Sequence, residues 1–509
     1  MGFLVLSQTP AAVPLRQRAP VLIGWVTMST SVAAPPAAAT KPRVKWTWLT
    51  IAIAVGLVVA FMPTPQGLTH NAQLVLAIVA FAIVSWASEV MNNGVASVLM
   101  MALLIAIAKV PPPRALSGYA DPAFWTLLAV LYYGFAMRKT GLAERISYWI
   151  LSLFPGSYSG ILAAFFAIGL VLAMGIPSMT VRTSIMAPIA WALVQTLGLK
   201  PCSRGSALIM ITVVEMAVVP GLAFELGSLN GPVVIKMFGD KHLPLTQGSY
   251  FAVMAVPTFI LCGLILLVNQ LVLKPEAKLS ASREFARGKL AALGKLKRQE
   301  LITAVVIVVS IFLWATQSTP NQTRLHPFPS YVVGMAALAV FALAGIIQDA
   351  DIATGVSWTL LLFLGGIFGL QNVLPDNKIT DWMAGLMVPH VQQLISMPIL
   401  LLAVMALVML ALRWLDPTAF IALPLAFLPL TDPLAKAGIP PMVLAAPLLL
   451  CSAPFWMPYM NFWIAMGDGI SAKQAWNRGQ LFLIATVYAA AAIAATVLGV
   501  FYWRMIGVM

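Results

Sequence analysis

The sequence predicts an all-α polytopic membrane protein with about 11 transmembrane helices. Three features of the chain point there. Apolar residues make up 61% of the 509 and charged residues 9%, against about a quarter charged in a soluble protein. Apolar runs near 46–62, 71–88, 94–110, 158–176, 205–226, 249–273, 301–317, 331–347, 397–412, 441–460 and 479–503 approach the length that crosses the hydrocarbon; a helix needs about 20 residues for ~30 Å. Further apolar pieces near 123–137, 183–198, 358–374 and 419–430 are too short, or are cut at Pro177, Pro188, Pro375, Pro417 and Pro424. Irregular backbone at membrane depth survives only against protein or a water-filled cavity, so short pieces imply a cavity.

Taken in order, residues 1–45 form a tail rich in Ala, Pro, Thr and Val, read as disordered. Leu6 stands where a myristoylation signal after Gly2 needs Ser or Thr, and Val21–Val26 is too short for a signal-peptide core. Met28 is an alternative start. The first transmembrane half spans 46–273 and the second 301–509, joined by a basic linker at 274–300. The net charge of +14 is concentrated in two places. Arg16, Arg18, Lys41, Arg43 and Lys45 precede the first span, and Lys274, Lys278, Arg283, Arg287, Lys289, Lys295, Lys297 and Arg298 fill the linker. The positive-inside rule puts both on the cytoplasmic side. No aromatic interleaving accompanies the charge, so nucleic acid is not the expected partner. Leu279, Phe285, Leu290, Leu293 and Leu296 suggest that the linker holds an amphipathic helix lying on the inner leaflet.

The two halves repeat. Trp125-Thr126-Leu127-Leu128 recurs as Trp358-Thr359-Leu360-Leu361, followed each time by a glycine-containing apolar stretch (Gly134; Gly365, Gly366, Gly369), a polar break and another Trp (Trp149; Trp382). Next comes a span running into a second break, Gly175-Ile176-Pro177-Ser178-Met179-Thr180-Val181-Arg182-Thr183 in one half and Arg413-Trp414-Leu415-Asp416-Pro417-Thr418-Ala419 in the other. Matched interruptions in two halves are the sequence mark of a transporter site.

A helix broken within the membrane offers amide donors, which suit an anion, at one new end and carbonyls, which suit a cation, at the other. Ser178, Thr180 and Thr183 add hydroxyls there. Arg182 either grips a substrate carboxylate or pairs with an acid such as Asp416, because a lone Arg at the bilayer centre is disfavoured by roughly 2.5–3.5 kcal/mol. Asp416 can relay a proton, ligate a cation or cap the following half-helix. Gly227, Ser228 and Asn230 in one half, and Asn461 after Pro454 and Pro458 in the other, read either as cation-site wall or as ordinary turn. Glu89, Asn92 and Asn93 read as an interfacial turn, Asp349 and Asp351 as loop, and Glu215 and Glu225 as cavity or snorkelling acids. Cys202, Cys262 and Cys451 form no CxxC pair, and His70, His242, His326 and His390 are scattered, so neither a metal centre nor another cofactor is expected.

These residues resemble the divalent-anion:sodium symporter family of the ion transporter superfamily. Lys139-Thr140-Gly141-Leu142-Ala143-Glu144-Arg145 is similar to its "KTGLAxR" stretch. Ser178-Met179-Thr180 and Asp416-Pro417-Thr418 stand where it has two Ser-Asn-Thr signatures, and Gly467-Asp468-Gly469-Ile470-Ser471 with Arg478-Gly479 is similar to its closing stretch. The resemblance covers roughly 70–503. It implies an inverted repeat with a re-entrant hairpin (about 121–140 and 356–375) and a broken helix (about 158–198 and 397–430) in each half. It further implies a homodimer in a bacterial-type inner membrane, working as an elevator on a small dianion, with Na+ as coupling ion. By carry-over Ser178, Thr180 and Thr418 would contact substrate, with Ser178 and Thr418 also lining sodium sites. Both signature Asn are absent, replaced by Met179 and Pro417, and Asp416 replaces the second Ser. Arg182 would then supply the missing donors, and Asp416 a proton in place of a cation. A sulfate permease and a proton-coupled or exchange carrier are the rivals within this class. A membrane-embedded enzyme would need HExxH, paired Asp or a nucleophile elbow, and none is present. A passive channel would have no use for an occludable site.

Overall fold

Inside hydrocarbon each backbone N–H and C=O has to be satisfied within its own segment, so apolar runs become helices. The computed structural model describes residues 46–238, 247–275, 282–317, 325–414, 427–457 and 460–509, and among them the chain is helical with no β-strand longer than a single bridge. The helices are α1 (Trp46–Phe61), α2 (His70–Ser88), α3 (Asn93–Ala106), α4 (Pro112–Ala115), α5 (Pro122–Thr140), α6 (Leu142–Leu153), α7 (Tyr158–Gly175), α8 (Met179–Thr196), α9 (Arg204–Val218), α10 (Asn230–Phe238) and α11 (Gln247–Leu273). After these come α12 (Ser282–Ala292), α13 (Arg298–Ala315), α14 (Ser330–Leu343), α15 (Asp349–Thr354), α16 (Trp358–Asp376), α17 (Ile379–Ile395), α18 (Pro398–Leu412), α19 (Thr431–Lys436), α20 (Ala445–Leu450), α21 (Phe462–Ile470) and α22 (Arg478–Met505). Seven described segments are long and apolar enough to span a membrane: α2, α7, Arg204–Ala223, α11, α13, α16 and α22. Shorter apolar helices lie between them.

Packing follows the repeat. In each half a long helix (α5; α16) leads into an adjoining helix (α6; α17) and then into the span before the break (α7; α18). The halves exchange partners, with α14 packing on α5 and α3 on α16, and their last helices, α11 and α22, lie against each other. Burial grades across the bundle. Residues 205–223 are wholly enclosed, whereas α13 leaves Leu301, Val305, Val308, Val309 and Phe312 exposed, as suits a lipid-facing helix.

The stretch 121–140, expected as a hairpin, is instead one uninterrupted helix. Asp121 caps α5 by accepting from the Ala123 amide at 2.9 Å, and Gly141 ends it in the left-handed region at φ 85°. Gly134 costs a helix about 1 kcal/mol but does not reverse it. Its missing side chain lets Ile176 approach, since a Cβ there would stand 3.0 Å from Ile176 Cγ2. The matching stretch 356–375 likewise lies in the single helix α16, started by the Ser357 cap on Leu360.

The hairpin falls one element later. A Cβ on Gly169, nine residues before Ser178, would lie 3.6 Å from Met186 Cε on the far side of the break. So α8 folds back beside α7 around Ile176-Pro177-Ser178, and 158–198 is a helix–turn–helix, not a broken rod. Close approaches of Gly205 to Tyr158 and of Gly169 to Met216 set α9 parallel to α7. The interrupted helix is the next element, where α9 gives way to 3₁₀ turns at Val219–Ala223 and Glu225–Gly227 before α10 begins.

The "KTGLAER" residues serve the helix joints. Lys139 pairs with Asp351 at 2.5 Å and Gly141 forms the bend. Arg145 grips Glu300 at 2.9 Å and donates to the carbonyls of Leu293, Gly294 and Lys295. The linker helix α12 packs on α6, with Phe285 edge-on to Tyr148. Part of its apolar face is therefore occupied by protein and not by lipid as expected; Leu279 lies outside the described residues. Arg145→Ala should cost about 2–3 kcal/mol, the worth of a buried charged hydrogen-bond set, and expose the linker. Limited trypsin digestion is expected to cut it near Lys295–Arg298 faster than in the wild type.

Candidate functional site at the hairpin tip

The tip of the hairpin is built by what its residues cannot do. Pro177 has no amide to continue α7, and Ser178, in extended conformation, restarts the chain as N-cap of α8, its hydroxyl accepting from the Val181 amide at 3.4 Å. Ser178 and Thr180 are partly exposed, whereas Arg182 and Thr183 are fully buried. Thr183 spends its hydroxyl on the Met179 carbonyl at 2.9 Å. The partly exposed surface of the tip is thus the positive end of an 18-residue helix carrying two hydroxyl residues.

Arg182 lies one turn inside this end and points away from solvent, into the interrupted helix. Its Nε donates to the Ala217 carbonyl at 2.6 Å, Nη1 to Ile176 at 2.5 Å and Gly227 at 2.7 Å, and Nη2 to Val218 at 3.3 Å. The Ala217 and Val218 carbonyls are available because α9 stops at Val218, and the last carbonyls of a helix lack partners of their own. Gly221 leaves the room required, since a Cβ there would collide with Arg182 Nη2 and come within 3.0 Å of Cζ. All four partners are neutral carbonyls, and no Asp or Glu forms an ion pair with Arg182 among the described residues.

Of the cation-site candidates, Gly227 holds Arg182, and Ser228 caps α10 through the Gly231 amide at 3.3 Å. Asn230 is 1% exposed, with neither side-chain atom bonded among the described residues. Asp416 and Thr418 lie outside the described residues. Asn461 sits at the start of α21 and bonds the Ala453 carbonyl at 2.9 Å and that of Pro454 at 2.5 Å. It also accepts at 3.3 Å from Arg413, a second fully buried arginine, which donates to the Met460 carbonyl as well.

The structure therefore joins Ser178, Thr180, Arg182 and Gly227 at one tip, and Arg413 with Asn461 in the second half. Sequence reasoning passed over Arg413 as a site residue, although it stood at the end of an apolar run, three residues before Asp416. Elsewhere, Glu215 accepts from Asn269 at 2.7 Å, which joins α9 to α11, and Glu225 stays half-buried in its 3₁₀ turn. Asn92 caps α3 and donates to Thr359 at 3.0 Å, a joint between α3 and α16. His326 and His390 bond backbone carbonyls, and no cluster of His, Cys, Asp or Glu among the described residues could hold a metal ion. A separate polar cavity of about 360 Å³ lies where α10, α16, α17 and α19 meet. Its lining sets Lys236 and Lys436 against Asp381 and Asp432, and Lys236 is also paired with Asp121, so it offers an anion no excess of positive charge.

Among the described residues, a bundle of apolar helices with a helix–turn–helix tip and an interrupted helix is the architecture of a multi-pass membrane protein. The chain belongs to the family described as sodium:sulfate symporter transmembrane region, whose model matches residues 43–509. It is 25% identical over 355 residues to a protein of Bacillus subtilis named putative malate transporter YflS, covering 68% of this chain and 73% of that one. It is 23% identical over 403 residues to dicarboxylate transporter 1, chloroplastic, of Arabidopsis thaliana (76% and 71% covered). With the sodium-dependent dicarboxylate transporter SdcS of Staphylococcus saprophyticus it shares 24% identity over 353 residues (63% and 65% covered). The crystal structure of the YdaH transporter of Alcanivorax borkumensis shares the fold, with a TM-score of 0.53 at 13% identity over 91% of this chain and 98% of that one.

The family's name implies sodium, and the chain can be tested for it. A sodium ion is held by oxygens that replace its water. At the hairpin tip the carbonyls of Ile176 and Gly227 are already engaged by a guanidinium. Those two carbonyls therefore already have a cationic partner, while the buried Asn230 carbonyl oxygen has none among the described residues.

Proposed function

We propose that this chain is a secondary carrier of a small dianion of the dicarboxylate class, taken up at the tip formed by Ser178 and Thr180. The observation that carries the reading is the partly exposed N-terminal end of α8, backed one turn behind by the buried positive charge of Arg182. Helix amides and hydroxyls bind carboxylate oxygens, and a nearby fixed charge that meets only neutral carbonyls leaves a net positive field for the anion. The names of the malate and dicarboxylate relatives support the substrate class. Thr418 would add its hydroxyl from the second half. The hairpin and interrupted helices would move together as an elevator against the α3–α16 and α5–α14 pairs, in a homodimer within a bacterial inner membrane. The basic linker and tail would face the cytoplasm.

The family's description favours a second reading, sulfate, because the same donors bind any small dianion. A thermal-shift screen of the purified protein against malate, succinate, citrate, sulfate and phosphate separates the two. Malate or succinate at a hundredfold excess over Kd is expected to stabilise the protein by about 2.7 kcal/mol. A shift with sulfate alone would replace the dicarboxylate reading.

A further inference from the structure

Glu215 is a buried acid that the anion site leaves unused. It is 3% exposed on α9, three residues before that helix stops at Val218. Its Oε2 accepts from Asn269 Nδ2 at 2.7 Å, and the same nitrogen donates to Thr212 at 3.0 Å, so both amide hydrogens are spent. Glu215 Oε1 and Asn269 Oδ1 are left buried, with no partner among the described residues. No Lys or Arg forms an ion pair with Glu215 among them either. Of the helices packed on α9, α11 brings the Cys262 thiol and α22 the Tyr488 phenol into electrostatic reach of the carboxyl. Tyr250, also on α11, bonds the Leu222 carbonyl, and Arg182 on α8 is committed to its carbonyls. The remaining titratable groups of these helices lie near helix ends, Tyr158 on α7 and Asp468 on α21 among them. A cavity of about 10 Å³ adjoins Glu215. Val218 and Val219 wall it from the first half, and Ala453 and Phe455, between α20 and α21, from the second.

We infer that Glu215 is a proton-binding site, and that its proton accompanies the anion, one in each transport cycle. This rests on the anion-carrier reading above. An ionised carboxylate with no cation bonded to it is costly in a buried site, and a proton removes the charge while making Oε1 a donor. A sodium ion would need several oxygens in place of its water. Two free oxygens and room for at most one water suit a proton and no larger cation. The link to transport is electrostatic. Arg182 bonds the carbonyls two and three residues beyond Glu215, so the acid and the anion share one fixed charge. An anion at the tip repels a charge on Glu215, whereas Arg182 attracts that charge once the anion has left. Anion and proton therefore favour each other's binding, by the same factor in each direction. The proton is taken from water on one side, held on Oε1 and returned to water on the other, and no other bond changes. After release the carboxylate offsets the guanidinium, so the empty carrier returns without an uncompensated charge there.

Malate is the probe, in sodium-free proteoliposomes clamped at zero membrane potential, between about pH 6.5 and 8, where both of its carboxyls are ionised. With the outside one pH unit more acid, wild-type vesicles are expected to accumulate malate about tenfold, the factor that one proton per anion supplies, and to acidify inside. Accumulation below about twofold, or malate exchange with no acidification, overturns the inference. Glu215→Gln can still accept the bond from Asn269 but cannot release a proton. Its ratio of gradient-driven accumulation to malate exchange should fall at least fivefold, a split that lost stability alone would not produce; an unchanged ratio also overturns the inference. Infrared spectra of the purified protein use no substrate. Subtracting Glu215→Gln from the wild type at about pH 6.5 should leave the C=O stretch of a protonated carboxyl, and carboxylate bands in its place refute the proton site. Absence of malate flux under every gradient would refute the dicarboxylate reading, while the infrared difference still decides this one.

Discussion

Arg182→Ala is expected to be among the most damaging single substitutions in the chain, destabilising it by about 3–5 kcal/mol, the range for breaking a buried charged interaction. Four backbone carbonyls, of Ile176, Ala217, Val218 and Gly227, lose their donor at once. Leaving a buried polar group unsatisfied costs about 1–3 kcal/mol each, and four such losses exceed the desolvation cost recovered by removing one guanidinium. The loss is also local, because these bonds tie the hairpin tip to the interrupted helix. Unfolding in detergent should show the lower stability, and transport should fall with it. Arg182→Lys is expected to recover less than half, since a point charge cannot reproduce the planar fork that reaches carbonyls on three segments. Gly221→Ala supplies a control that leaves the arginine in place. Its methyl group would fall on Nη2 and on the Gly227 carbonyl, so the variant should share the instability of Arg182→Ala. Wild-type stability in Gly221→Ala would show that the guanidinium can shift without loss.

The sequence made the spans and the breaks visible because both follow from elementary constraints. Long apolar runs must be helices in lipid, and Pro177 ends one by lacking the amide to continue it, whereas Pro188 and Pro375, read as cuts, lie inside α8 and α16. It also singled out Arg182, since an isolated charge at membrane depth needs a reason. What it could not reveal was which way the chain turned at Pro177. A kinked rod and a hairpin have the same local pattern, and the difference lies in the contact between Gly169 and Met186, across the turn. The hairpin was placed one element too early for a related reason. Glycines in an apolar stretch mark either a turn or a close approach, and Gly134 proved to be the second, making room for Ile176. The direction of Arg182 was equally hidden. Its bonds go to carbonyls up to 45 residues away in sequence, and no local signal reports them.

The glycines of α16 give the second large effect, in a different part of the molecule. Gly118, in the short 3₁₀ turn Ser117–Tyr119, meets α16 backbone to backbone. A Cβ on Gly118 would collide with the Gly365 carbonyl and stand 2.6 Å from the Gly369 amide nitrogen. Neither atom belongs to a flexible side chain, so the whole turn would have to move. Gly118→Ala should therefore reach the upper part of the 1–3 kcal/mol range for overpacking, about 3 kcal/mol. Gly365→Ala presses from the other side, its methyl group meeting the ring of Tyr119. That ring has little freedom to yield, because its hydroxyl donates to the Leu362 carbonyl at 2.8 Å and Phe124 packs edge-on against it. Gly365→Ala should cost about 2 kcal/mol on the same scale. Both changes push apart one contact, so a shift that accommodates the first also relieves the second. The double variant is thus expected to be less destabilised than the sum of the two, by at least about 0.5 kcal/mol, the coupling typical of touching sites. Additive losses in a double-mutant cycle would mean that the turn and α16 yield independently, and that this close approach is not the joint between them.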